Sequence, residues 1–431
     1  MTKNIDVQAG NIENYYAVKI GSIWSGLKNE NAAFWWLCIY TFLEYVRPQS
    51  IYPVIDVLPW AQIALILAMF YAFVDRDVSW VSNVQNKFLV LLFILILVSG
   101  LAAYDPSLSW DAYDIPINWL IIYFLIITII NTEKRFFVYI LLILIVSFKM
   151  SQHGFRTFIE RGGGFADWGA SGSPGWFQNS GEFGIQMTIF VPLAITFILA
   201  LKSYWGSLKK ILFYMLPVTG LVSILASSSR GAQIAIIAVG LWYLIRSRLG
   251  VKGITGLLLA TSLLYYFLPS EQLDRFKTAG DDETSLQRIE YWKIGYEMIS
   301  KYPVTGVGYA NWKGYCRYNY PEGVGVIHKC ETLHNTYLEA GVELGIPALS
   351  VYIIMVLLIF IQNARTRKIA KERDNKYLFF IAYGIDGGLI GYLVSSFFIA
   401  TFFYPFFWFQ LAMTVALHEI VKSQQRKTMQ L

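Results

Sequence analysis

The feature that most constrains this chain is a recurrence of long apolar runs that contain no charge. Residues 88–98, 119–130 and 353–361 hold no Asp, Glu, Lys or Arg, and with their flanks they reach the roughly 20 residues that a helix needs to cross a bilayer core. Composition agrees. The chain is 56% hydrophobic and 17% aromatic with 15% charged residues, whereas soluble proteins carry roughly a quarter of their residues as charges. The sequence predicts an all-α polytopic membrane protein of about twelve spans, centred near residues 39, 67, 95, 124, 142, 193, 218, 239, 261, 355, 388 and 412.

The basic residues report orientation. They collect in the predicted inner loops as Arg76 and Lys87, Lys134 and Arg135, then Lys202, Lys209 and Lys210, and then Arg246, Arg248 and Lys252. After these come Arg365, Arg367, Lys368, Lys371, Arg373 and Lys376, and a tail with Lys422, Arg426 and Lys427. The outer segment 105–118 has acids and no Lys or Arg. The positive-inside rule therefore predicts both termini in the cytoplasm. The net charge of +6 is spread over these loops instead of forming one patch, which argues against nucleic acid as a partner. No apolar signal with a small-residue cleavage site stands in the first thirty residues, so the start is expected to be retained.

The expected organisation follows. Residues 1–31 form a cytoplasmic amphipathic segment, because Ile12, Tyr16, Ile20, Ile23, Trp24 and Leu27 recur at helical spacing. Spans one to nine occupy 32–269 and include an outer loop at 151–183. An extracytoplasmic helical loop domain covers 270–345, spans ten to twelve cover 346–420, and 421–431 is a cytoplasmic tail. Outer segments of that length are usually functional. No internal repeat supports an inverted-repeat transporter.

Candidate chemistry concentrates on the outer side. The 151–183 loop is glycine-rich and carries His153, Arg156, Arg161, Asp167, Asn179 and Glu182. Within 270–345, Leu286, Ile289, Trp292, Tyr296 and Ile299 mark one face of a helix over 285–300 that should pack on the membrane core or the interface, with Arg288 at its border. A Pro303-Val304-Thr305-Gly306-Val307-Gly308 turn follows. Residues 309–328 are rich in Tyr, Trp, Gly and Asn, suited to stacking on sugars or to an interfacial belt. Cys316 and Cys330 could pair if this side is oxidising. Asp386 lies inside the eleventh span, where a buried acid raises proton coupling as an alternative.

Arg230 falls between two spans with few residues in which to turn, which puts a guanidinium at or just inside the outer interface. A guanidinium fits phosphate oxygens and stays charged at any working pH, and the alternative is a snorkelling arginine at a helix end. Arg156, Arg161, Arg230 and Arg288 together could neutralise a diphosphate that departs in a reaction. His334, one of four histidines, sits where the long polar segment meets the tenth span. It is either a general base or a satisfied interfacial histidine. No HExxH, Gly-x-Ser-x-Gly or Walker motif is present, and no metal-ligand cluster is visible.

These residues resemble the O-antigen ligase superfamily, which also contains Wzy-type polysaccharide polymerases and protein O-oligosaccharyltransferases. The likeness rests on Ser229-Arg230-Gly231-Ala232 after a span and on Arg288-Ile289-Glu290-Tyr291-Trp292 followed by Pro303-x-x-Gly306-x-Gly308. His334-Asn335-x9-Gly345 leading into the next span completes it, with a weaker match at Phe177-Gln178-Asn179-Ser180-Gly181-Glu182. Glu44-Tyr45-Val46-Arg47-Pro48-Gln49 is similar to a stretch in some exosortase-associated ligases. The resemblance implies a glycosyltransferase-C-like enzyme of the cytoplasmic membrane with its active site facing the periplasm or cell exterior. It would use an undecaprenyl-diphosphate-linked glycan as donor and a glycolipid, glycan or protein as acceptor, without metal or cofactor and with inversion. Arg230 and Arg288 would stabilise the leaving diphosphate and His334 would take the acceptor proton. Arg156, Arg161, Asn179, Glu182, Asn335 and Tyr337 would line the substrate site. Polymerisation, with a second lipid-linked glycan as acceptor, shares this chemistry. A transporter or flippase of an anionic lipid-linked substrate would use the same arginines and need no base.

Overall fold

The structure, a computed structural model, describes residues 12–429 apart from 76–77, 79, 165–168, 247–254, 257, 260–261, 263–264, 267–269, 278–279, 282 and 321–329. Among the described residues it is all-helical, with no strand. The main helices are α1 (Ile20–Lys28), α2 (Ala32–Val46), α3 (Trp60–Val74), α4 (Val84–Leu101), α5 (Pro106–Ala112) and α6 (Asp114–Ile129). They continue as α7 (Glu133–Glu160), α8 (Ser180–Leu201), α9 (Ser207–Ala226), α10 (Arg230–Arg246), α11 (Ser270–Lys277) and α12 (Glu283–Lys301), and end with α13 (Trp312–Asn319), α14 (Thr336–Glu372), α15 (Lys376–Ser395) and α16 (Pro405–Met429).

Seven helices among the described residues are long and apolar enough to cross a membrane: α4, the run Pro106–Ile129, α7, Ser180–Tyr204, α9, α14 and α15. The protein is therefore a polytopic helical membrane protein. Every expected span centre except 261 falls inside a described helix, and 261 lies outside the described residues, as do Arg76, Asp167, Arg248 and Lys252. Of the five other expected spans, α2, α3 and α10 have only 15, 15 and 17 residues, the one near 261 lies outside the described residues, and α16, with 25 residues, is not among the seven.

The bundle is built around α8 and α15. Gly384, Gly387, Gly388 and Gly391 line one face of α15. A Cβ at Gly384 would stand 2.2 Å from the Thr196 hydroxyl and one at Gly391 would stand 2.8 Å from the Thr188 carbonyl. In lipid no hydrophobic force separates helix from solvent, so such small-residue faces let two backbones approach and gain dispersion contact. The α9 helix joins α7 through Ser223, whose hydroxyl donates to the Ser151 carbonyl at 2.8 Å. On its other side α9 exposes Leu208, Ile211 and Leu212, as a lipid-facing helix does. Asp386 is buried in α15 and is held by Arg367 and by the Asn363 amide, which donates to it at 2.7 Å. Its charge has a partner, which accounts for an acid in this position without transport.

The stripe expected over the N-terminal segment is divided: Ile20 and Trp24 are exposed, whereas Tyr16 is buried and Ile12, Ile23 and Leu27 pack against the bundle. Residues from α12 and α13 form a second core of Tyr291, Ile294, Met298, Trp312, Tyr315 and Cys316 against Leu338 and Val342 of α14. The stripe expected on the 285–300 helix is split by this packing. Trp292 and Ile299 pack, whereas Leu286, Ile289 and Tyr296 stay exposed, because α14 packs on the face that carries Tyr291, Ile294 and Met298. The aromatics expected for sugar stacking are divided in the same way. Tyr309, Trp312 and Tyr315 are core residues, Tyr318 is exposed, and 321–328 lies outside the described residues.

Candidate functional site

The site is assembled by an interlock between two turns. Gly345 breaks α14 with a φ of +82°, a conformation that a side chain resists and glycine accepts. The 303–308 turn lies on that break. The Val307 amide donates to the Val342 carbonyl at 2.8 Å, the Gly308 amide to the Glu343 carbonyl at 3.2 Å, and the Ile346 amide to the Pro303 carbonyl at 2.8 Å. A Cβ at Gly345 would stand 2.2 Å from the Val304 carbonyl oxygen. Gly341 meets the Ile299 side chain of α12, while the break turns Gly345 toward the 303–308 turn. The Glu343 carboxylate accepts from the Ala310 and Trp312 amides, both at 3.2 Å, and so caps the start of α13.

The segment that bears His334 is pinned along its length. Cys330 is joined to Cys316 in a disulfide. The Trp312 indole donates to the Glu331 carbonyl at 2.7 Å and the Trp292 indole to the Leu333 carbonyl at 2.9 Å. Beyond the histidine, the Thr336 amide donates to the Ser396 carbonyl at 2.8 Å and its hydroxyl to the Ile399 carbonyl at 2.7 Å. His334 itself has a φ of +50°, a sparsely populated region for a non-glycine residue that persists only where the surroundings over-determine it.

Two residues beside it are engaged in holding this geometry. The Asn335 side-chain oxygen accepts from the Tyr337 and Leu338 amides, both at 3.0 Å, and caps α14. The Tyr337 hydroxyl donates to the Leu393 carbonyl at 2.7 Å.

Arg230 reaches the helix that carries Arg288. Arg230 opens α10, and its guanidinium reaches the Ser285 hydroxyl at 3.5 Å. Ser285 and Arg288 are one helical turn apart and share a face. The charge of Arg288 acts in turn on His334. Burial, then Arg288 and then Lys313 push the His334 pKa down to about 4, so the imidazole is neutral at neutral pH and its lone pair can accept a proton. Glu331 Oε2 stands 3.7 Å from His334 Nε2. At that distance, with the carboxylate half in water, screening leaves the two cations dominant.

The first long loop meets the same region by another route. The Ala170 amide donates to the Ala226 carbonyl at 2.8 Å, which fixes the loop against the turn before Arg230. The Trp176 indole donates to the Glu44 carboxylate, which also pairs with Arg47 at 3.0 Å; this joins the 44–49 stretch to the loop. The Asn179 amide donates to Glu182 at 3.2 Å. Arg156 and Arg161 stand exposed at the C-terminal end of α7; the cations acting on His334 are Arg288 and Lys313.

Sequence reasoning missed Ser285, Lys313 and Glu331 as site residues. The spacing of Glu331 three residues before His334 was the available signal for one of them; the other two become neighbours only through folding. Among the described residues no three His, Cys, Asp or Glu side chains are grouped as metal ligands.

The class that the fold defines is a polytopic helical membrane protein, in which the segment bearing His334 is bonded to the helix that carries Arg288. Comparison with known families is more particular. Residues 215–353, which contain Arg230, Arg288 and His334, match the O-antigen ligase family, and the match supports a place in the O-antigen ligase and Wzy-type superfamily. Residues 20–200 match a family of unknown function (DUF5935). No curated protein matches the chain.

Proposed function

We propose that this protein transfers a glycan from an undecaprenyl-diphosphate carrier to an acceptor hydroxyl on the outer face of the cytoplasmic membrane. The observation that carries the reading is the neutral His334 under the field of Arg288, on the helix whose Ser285 meets Arg230. In the proposed step the acceptor O–H gives its proton to the imidazole while its oxygen bonds to the anomeric carbon. The bond from that carbon to the diphosphate oxygen breaks, and the electron pair leaves with the diphosphate. Arg230 and Arg288 offset the charge that develops there, where preorganised donors contribute most. The protonated imidazole then returns its proton to water or to the leaving group. Attack opposite the leaving group inverts the anomeric centre.

In this reading Arg156 and Arg161 assist the approach of the anionic donor, and Asn179 and Glu182 face the glycan. Asn335 and Tyr337 act by holding the histidine segment. Ligation and polymerisation differ only in who supplies the hydroxyl.

The test is transfer by purified protein in liposomes supplied with lipid-linked donor. His334→Ala should lose about 100-fold or more of the rate, the scale of general-base catalysis, while retaining donor binding. Arg230→Ala and Arg288→Ala should weaken both. Normal transfer by His334→Ala would overturn the base assignment. Donor crossing the membrane with no covalent product would favour the transporter.

A further inference from the structure

We infer that a groove beside His334 binds an anionic group of the acceptor, a carboxylate or a phosphate carried near the hydroxyl that receives the glycan. The groove has a volume of about 280 Å³ and is lined by Lys313, Arg317, Cys330, Glu331 and Thr332. This inference rests on His334 acting as the base, and it names the substrate chemistry on that base's other side.

Three observations support it. Lys313 and Arg317 are four residues apart on α13, so both cations project from one face of the helix. The opposite wall is rigid, because the Cys316–Cys330 disulfide and the Trp312 indole bond to the Glu331 carbonyl hold residues 330–332 against that helix. The groove is also continuous with the reaction centre. Glu331 lines it and stands 3.7 Å from His334, and the Lys313 charge acts on His334.

Size and charge select the ligand. The volume falls just below the roughly 300–1,000 Å³ typical of pockets for drug-sized ligands, which suits one sugar-sized group. The charged lining residues are Lys313, Arg317 and Glu331, a small mixed set that suits a single anionic substituent better than a diphosphate. The diphosphate already has the Arg230 and Arg288 pair on α10 and α12. His334 therefore stands between a pole for the leaving group and a pole for the acceptor, and a bound acceptor has its hydroxyl oriented before attack.

The experiment measures kcat/KM in proteoliposomes at fixed pH for three matched acceptors: a neutral sugar, its uronate and its phosphate ester. The wild type should prefer at least one anionic acceptor over the neutral one by about tenfold, the scale of a charge-assisted hydrogen bond. In Lys313→Gln/Arg317→Gln that ratio should fall toward one, and Lys313→Arg should preserve it. Because the readout is a ratio between acceptors, any effect of Lys313 on the base cancels. Preference for the uronate or for the phosphate identifies which anion is bound. An unchanged ratio in the double variant, or a rise in donor KM in place of a change in acceptor selectivity, would overturn the inference. His334→Ala in the same assay separates the two readings: full activity there removes the base, while the selectivity ratio tests the groove by itself.

Discussion

The Trp292 indole donates to the Leu333 carbonyl at 2.9 Å, so the helix that carries Arg288 directly grips the residue before His334. The two motifs are held at a fixed separation by one bond between segments 41 residues apart. Trp292→Phe keeps the packing and removes the bond. A neutral hydrogen bond contributes about 0.5–1.5 kcal/mol, so kcat should fall by about 3- to 10-fold with donor KM unchanged in steady-state transfer assays. A rise in donor KM at constant kcat would show that the bond positions Arg288 instead.

The depressed pKa of His334 fixes the sign of the pH dependence. The base form persists down to about pH 4, so the acid limb of kcat/KM should lie near 4 and not near the usual histidine value of about 6.5. Arg288→Gln removes a cation that disfavours the imidazolium, so the limb should move upward. The limb of kcat itself should lie above that of kcat/KM, because bound diphosphate offsets the same cation. A limb that ignores Arg288→Gln in pH–rate profiles would separate the two residues electrostatically.

Gly345 and Gly341 should respond differently to the same substitution. Gly345→Ala puts a Cβ 2.2 Å from the Val304 carbonyl at a φ of +82°. It should cost more than the ~1 kcal/mol typical of alanine at positive φ, since backbone cannot easily yield. Gly341→Ala meets only the tip of the Ile299 side chain at 2.7 Å, which can rotate away. Thermal unfolding in detergent should show a clearly larger drop in Tm for Gly345→Ala; equal drops would mean that the interlock between the two turns is dispensable.

The Cys316–Cys330 disulfide should matter to the site more than to membrane insertion. It spans 14 residues, and closing a loop of about that size contributes roughly 3 kcal/mol by the chain-entropy account. Cys316→Ser should lower kcat and Tm together while the protein still reaches the membrane in normal amount. Thiol labelling of unfolded, unreduced wild type should find Cys38 alone, which is the free cysteine; three reactive thiols would show that the bridge does not form.

The sequence by itself determined the helical membrane class, the places where most of the helices lie and the motifs that resemble the ligase family, because each of these is local. Charge-free runs specify helices in lipid through backbone hydrogen bonding alone, and each expected centre other than 261 lies in a described helix. Arg230 and His334 stood out for their residue type and their position at span ends, and Arg288 for its place at the border of the stripe on the 285–300 helix. What only the tertiary structure decided was which of the candidates meet. Ser285 brings Arg230 to α12 across 55 residues, and the glycine break at 345 receives the 303–308 turn, while Arg156 and Arg161 remain at the end of α7. It also decided which face of α12 is buried, since periodicity gives a stripe but packing chooses its partner. Convergence depends on contacts between distant segments, whose energies arise only once the helices have packed, and no local pattern encodes them.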